Sequence, residues 1–220
     1  MTQIITALDI STRQELDRVL DLLDPQKTKV KIGKQLFTAM GPVAVHTCHN
    51  QKFDVFLDLK YHDIPNTVEQ AILAAGQMGV WMTNVHIQGG PPMLIAARRA
   101  AVKANIKVIG VTELTSVEDR SRVPLFVADG LATGLDGVVC HVNDMNIVNR
   151  SRANIVCEDD EFIAVCPGIR LPNDNPDDQA NPAVPSVAKD KNVDYIVMGR
   201  SILNAPNPQQ TLTDVYESLK

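Results

Sequence analysis

Short runs of apolar, β-branched residues alternate with longer stretches of helical periodicity from one end of the chain to the other. Residues 3–8, 28–32, 53–57, 82–85, 107–111, 137–140, 162–165 and 195–198 read as strands. Several are apolar almost without interruption, as strands covered on both faces of a parallel sheet are. Between them, residues 13–23, 34–50, 67–77, 92–104 and 117–133 repeat with helical period, and residues 208–219 close the chain as one more helix. Eight β-α units without a break in composition predict a single (β/α)8 TIM barrel over residues 1–220, an α/β fold with no linker and no second domain. A doubly wound open sheet is the alternative, and the Gly-rich turn it needs after its first strand is absent. The stretch from Pro167 to about Pro185 holds five prolines among Asn and Asp. It follows the seventh strand, and a polar loop of that length in a compact domain is expected to serve as a lid.

Composition narrows the classes. With 220 residues, 45% of them hydrophobic, 21% charged, and a net charge of -5, the chain is an ordinary globular protein rather than a disordered one. It carries no Lys/Arg block and is a poor candidate for phosphate-backbone binding, so no nucleic-acid partner is expected. No apolar run reaches membrane-spanning length, and the first residues lack the basic and apolar regions of a signal peptide; no membrane partner is expected. Cys48, Cys140, Cys157 and Cys166 show no C-x-x-C spacing and read as free thiols rather than zinc ligands or disulfides. A reducing, cytoplasmic setting follows as the expectation.

The chemistry concentrates in Asp58-Leu59-Lys60-Tyr61-His62-Asp63-Ile64-Pro65-Asn66-Thr67. This segment leaves an apolar strand and enters a helix at Pro65, a residue suited to a first helical turn. Strand alternation puts Asp58 and Lys60 on one side at the carboxyl end of the strand, with Asp63 where the chain departs. Three charges of alternating sign in six residues need one another or a substrate there. As a surface ion pair they would contribute little, whereas strand carboxyl ends are where α/β enzymes keep their chemistry. The other strand ends supply Asp9, Lys31 before Gly33, Asn84-Val85-His86, Thr112 with Thr115-Ser116, Arg170 and Gly199-Arg200-Ser201. Two lysines interleaved with carboxylates stay charged by mutual pairing, and a charged lysine can act as a general acid. At Gly199-Arg200 the backbone can approach an anion and the guanidinium can grip it. A turn beside a surface arginine is the equal alternative, and Arg170 in the preceding loop tips the reading toward phosphate. His62 reads as structural, and His86 as orienting a neighbour or satisfying a buried backbone group. His46, His49 and His141 lack ligand spacing, so no metal is expected. No Ser-His-Asp or Cys-His acyl-transfer arrangement is visible.

These residues resemble the orotidine 5'-phosphate decarboxylase family. Besides the Asp-x-Lys-x-x-Asp-Ile-Pro-Asn-Thr segment, Ala7-Leu8-Asp9, residues 29–33, Gly79-Val80-Trp81, Leu114-Thr115-Ser116, residues 134–140, Pro167-Gly168-Ile169-Arg170 and Gly199-Arg200 match in order. The bare Asp-x-Lys-x-x-Asp is also similar to the sugar-phosphate branch of the superfamily. The extended segment implies a cofactor-free decarboxylase making UMP and carbon dioxide, the last step of pyrimidine nucleotide synthesis. The resemblance further implies that Lys60 protonates C6 and Asp58 destabilises the substrate carboxylate. Lys31, assisted by Asp9, would hold Asp58 and the ribose hydroxyls. Asp63, Ile64 and Thr67 would reach the ribose in a neighbouring subunit, giving a homodimer with shared active sites. Thr115 would meet the pyrimidine, and Gln179, Gly199 and Arg200 the phosphate, with Arg170 close by. After Gln179 the basic residue usual in the family is missing from Ala180-Asn181-Pro182. Two rivals remain: a sugar-phosphate decarboxylase or aldolase, which would need a divalent metal, and a phosphate-binding barrel without catalysis. The intact Asp58, Lys60 and Asp63 count against the second.

Overall fold

Eight parallel strands close on themselves in a computed structural model that describes residues 1–153, 162–172, 174 and 183–220. The strands are β1 (Gln3–Ala7), β2 (Thr28–Gly33), β3 (Val55–Tyr61), β4 (Met82–His86), β5 (Lys107–Val111), β6 (Gly137–Val139), β7 (Ile163–Cys166) and β8 (Tyr195–Met198). Each pairs with its successor in sequence, and β8 returns to β1 with Val197 opposite Ile5. Among the described residues the helices are α1 (Arg13–Leu20), α2 (Lys34–Met40), α3 (Pro42–Asn50), α4 (Pro65–Gln77), α5 (Pro91–Ala104), α6 (Val123–Ala132), α7 (Met145–Arg152), α8 (Pro185–Asp190), α9 (Arg200–Leu203) and α10 (Pro208–Leu219). The expected barrel is therefore present. None of these helices is long and apolar enough to cross a membrane.

Strand alternation divides the core in two. Ile5, Phe56, Met82, Ile109, Ile163 and Val165 form one buried cluster inside the barrel. Their neighbours along the strands, among them Ile4, Val30, Leu57, Val108 and Ala164, pack outward against the helices. Gly137 shows how tight the wall is, because a Cβ there would lie 2.1 Å from the Ile163 carbonyl oxygen. Cys48, Cys140 and Cys166 are buried free thiols, as expected, and Cys157 lies outside the described residues; Met82 and Met93 are buried in the core.

Several boundaries differ from the expectations. The strand read as 53–57 begins at Val55 and continues to Tyr61, so Asp58 and Lys60 stand within β3 rather than beyond it. Hydrophobic patterning could not extend a strand through the charges that give it its purpose. The helix read as 34–50 is two helices: Gly41 turns the chain at φ 57°, and Pro42, which has no N–H to continue a ladder, starts α3. The helix read as 117–133 begins only at Val123, after the polar turns around Glu118, Asp119 and Arg120.

The amino-terminal face of the barrel is fastened by two similar latches. Asp136, just before β6, accepts the Val108 N–H at 2.7 Å and the Arg98 guanidinium at 2.8 Å. Asp194, just before β8, accepts the Ala164 N–H at 2.7 Å and pairs with Arg152 of α7. Each ties a strand start to its neighbour and to an outer helix.

Candidate active site

The strand alternation that fills the barrel also builds its mouth. One inward step beyond Phe56 comes Asp58, and one beyond Met82 comes Asn84. The inward position of β2 between outward Val30 and Ile32 is Lys31. Polar groups thus cap an apolar stack at the carboxyl ends of the strands, the end at which barrel enzymes work.

Asp58 lies at the centre and is 8% exposed. Its Oδ2 sits 3.2 Å from Lys31 Nζ, and its Oδ1 sits 2.5 Å from Lys60 Nζ. Asn84, fully buried, donates from Nδ2 to the same Oδ1 at 2.7 Å. Asp9 is exposed at the rim, with Oδ1 3.9 Å from Lys31 Nζ. Burial pushes the Asp58 carboxyl up. The Lys31 and Lys60 charges, with the hydrogen bonds from Lys60 and Asn84, outweigh it and carry the pKa down to about 2. The carboxylate is consequently ionised at any physiological pH.

Lys60 reaches this position through an irregular backbone. β3 and β4 pair at Leu57–Thr83 and again at Tyr61–Val85, so β3 advances four residues while β4 advances two. Within this bulge Lys60 takes φ 54°, a left-handed conformation rare for a residue with a side chain. Its N–H is accepted by the Asn84 Oδ1 at 2.8 Å. The sequence reading brings Asp58 and Lys60 together by regular alternation. The structure brings them together through the bulge instead.

The charged groups, but not Asn84 behind them, line a cavity of about 240 Å³. Of the candidate residues, Asp9, Lys31, Asp58, Lys60, Thr115, Arg170, Gly199 and Arg200 all face it. Its apolar wall comes from Ala7, Val111, Val139, Ile169 and Val197. Arg170 is buried at one side and Arg200 exposed at another. At Gly199 a Cβ would meet Ala7 Cβ at 3.3 Å and Asp9 Oδ2 at 3.6 Å, so a side chain here would crowd the rim. Asp63, Ile64 and Thr67 do not line this chain's cavity. They are exposed where β3 runs into α4, and Asp63 accepts its neighbour's Ile64 N–H at 2.7 Å. Gln179, with positions 173 and 175–182 of the expected lid, lies outside the described residues.

Further residues surround these groups, and among them Glu113 and Arg120 have no role in the sequence reading. From sequence Asn84 is only one of the polar groups at the strand ends, and its inward position two residues after Met82 is the signal that singles it out. Glu113, beside the cavity, pairs with Arg122 at 3.7 Å. Arg120 pairs with Asp144 and donates to the Leu114 carbonyl at 2.9 Å, which steadies the loop carrying Thr115. His86 is half-buried with its ring 5.7 Å from that of exposed His62. Burial, then the charges of His62, Lys60 and Lys34, hold His86 below the usual imidazole range.

Residues 2–215 match the family described as orotidine 5'-phosphate decarboxylase / HUMPS. Orotidine 5'-phosphate decarboxylase of Shewanella sediminis is 40% identical over 98% of this chain and 96% of its own length. That of Pectobacterium carotovorum is 42% identical over 98% of this chain and 91% of its own. The crystal structure of orotidine 5'-phosphate decarboxylase from Lactobacillus acidophilus superposes with a TM-score of 0.85 at 30% identity, with both chains covered fully.

Proposed function

Since the chain belongs to the orotidine 5'-phosphate decarboxylase / HUMPS family, we propose that Lys31, Asp58 and Lys60 carry out its reaction. That reaction is the decarboxylation of orotidine 5'-phosphate to UMP and carbon dioxide, in pyrimidine biosynthesis. The observation that carries the assignment of roles is the buried Asp58 carboxylate held between two lysine ammonium groups at the floor of the cavity.

Loss of carbon dioxide leaves the electron pair of the broken bond on C6 of the pyrimidine, where it is poorly stabilised. A site accelerates this step only if it favours that carbanion over the starting carboxylate. Asp58, ionised beside the substrate carboxylate, disfavours the ground state. Lys60 stabilises the growing charge and then gives a proton from Nζ to C6, the nitrogen keeping the bonding pair. Lys31 holds Asp58 and, with Asp9, the ribose hydroxyls. Thr115 meets the base. Gly199 and Arg200 hold the phosphate, with Arg170 beside them and Gln179 from the loop. Binding the phosphate far from C6 supplies energy for organising the site.

The reading includes a homodimer in which Asp63, Ile64 and Thr67 complete the partner's ribose site. Their exposure outside their own cavity supports it. A cytoplasmic location fits the three described free thiols. The loss of orotidine 5'-phosphate absorbance on adding purified protein tests the activity, with a chelator present to separate it from metal-dependent sugar-phosphate chemistry. Absence of turnover would overturn the reading.

A further inference from the structure

We propose that Asn84 is a positioning residue whose carboxamide locks the Asp58 carboxylate and the Lys60 backbone together in the geometry the decarboxylation needs. The inference rests on the roles given above to Asp58 and Lys60.

The β3 bulge creates the need. Where β3 runs ahead of β4, Lys60 loses a regular partner across the ladder, and its backbone sits at φ 54°. Such a conformation persists only where surrounding contacts impose it. Asn84 imposes it, since its Oδ1 accepts the Lys60 N–H at 2.8 Å in a fully buried setting. The opposite end of the same amide donates to Asp58 Oδ1 at 2.7 Å, the oxygen that Lys60 Nζ also reaches at 2.5 Å. One planar group therefore spans the lysine's main chain and the aspartate's carboxylate.

The amide can be oriented in one way only. Turned over, it would point its NH2 at the Lys60 N–H and its oxygen at the Asp58 carboxylate, two repulsive contacts in place of two hydrogen bonds. Other side chains fail for specific reasons. Asp keeps the acceptor for Lys60 but sets a second carboxyl against Asp58. Ala leaves the Lys60 N–H without its acceptor and takes one of two donors from Asp58 Oδ1. Gln carries its amide one carbon too far from β4 in a space that is already filled. None of these changes removes a substrate contact. The expected defect is in the placement of the proton donor and the charged carboxylate, to which rate is far more sensitive than ground-state binding.

Asn84→Ala and Asn84→Asp separate this from a purely structural role. The two variants would be compared with the parent protein in kcat, KM, UMP affinity by calorimetry, and folding by circular dichroism. The expected result is a loss of at least ten-fold in kcat for both, with the UMP dissociation constant within three-fold of the parent value. A smaller loss of kcat in a folded variant would overturn the proposal. So would a parallel loss of kcat and UMP affinity, or failure of both variants to fold, since either would make Asn84 a general structural residue. Absence of turnover in the parent protein would instead strike at the reading of the site as a decarboxylase.

Discussion

Lys60 combines an unusual backbone with a central place in the charged cluster, and its replacement gives the sharpest single-residue prediction. Lys60→Ala should nearly abolish turnover while UMP binding and the fold persist, because the lost interactions are made mainly in the transition state. Retention of a tenth of parental activity, a deficit of only ~1.4 kcal/mol, would rule the residue out as the proton donor. Asp58 gives a prediction in pH. Its folded-state pKa of about 2 lies below the ordinary carboxyl value of 3.8. A depressed carboxyl contributes stability that is fully present above the unfolded value and is lost as pH falls through the folded one. Acid titration of the parent protein should therefore show a loss on the order of 2 kcal/mol between about pH 4 and pH 2. Asp58→Asn should lack that component. Identical acid profiles for the two proteins would refute it.

At the scale of elements, β6 depends on having no side chain where it meets β7. Gly137→Ala would drive a Cβ to 2.1 Å from the Ile163 carbonyl oxygen. Backbone cannot yield as a flexible side chain does, so the variant should be destabilised by about 3 kcal/mol. A shift in the urea midpoint with unchanged slope would report it, and an unshifted midpoint would mean that the sheet opens at no cost. The elements were largely legible in the sequence because buried parallel strands announce themselves as apolar runs, from Lys107–Val111 of β5 to Tyr195–Met198 of β8. Legibility failed where function or brevity altered the pattern. The second half of β3 is polar because it carries Asp58 and Lys60, so its apolar signal stops at Leu57. α7 buries only Met145 and Val148, and α9 is four residues long, so neither repeats enough to stand out. The charged residues of the site could be found by their spacing and by resemblance. The bulge that aims Lys60, and Asn84 beneath it, depend on how two strands pair, which spacing along one chain does not encode.

At the scale of the whole molecule, the exposure of Asp63 apart from its own cavity leads to a complementation test. If each site takes Lys60 from one chain and Asp63 from the other, a mixed dimer of Lys60→Ala and Asp63→Ala has one site with both defects and one with neither. Random exchange between the two inactive homodimers should then restore roughly a quarter of parental activity. Continued inactivity after exchange is verified by mass would sink the shared-site dimer. The latches at the other end of the barrel carry a different consequence. Arg98–Asp136 and Arg152–Asp194 fasten the strand starts, a barrel's length from the carboxyl ends where Asp58 and Lys60 meet. Robustness and reactivity thus occupy opposite poles of one cylinder. Heat tolerance can drift, or be engineered, by rewriting the latch pole while the reactive pole stays untouched. Two lineages of such a barrel could come to live at quite different temperatures and still share every residue that handles substrate.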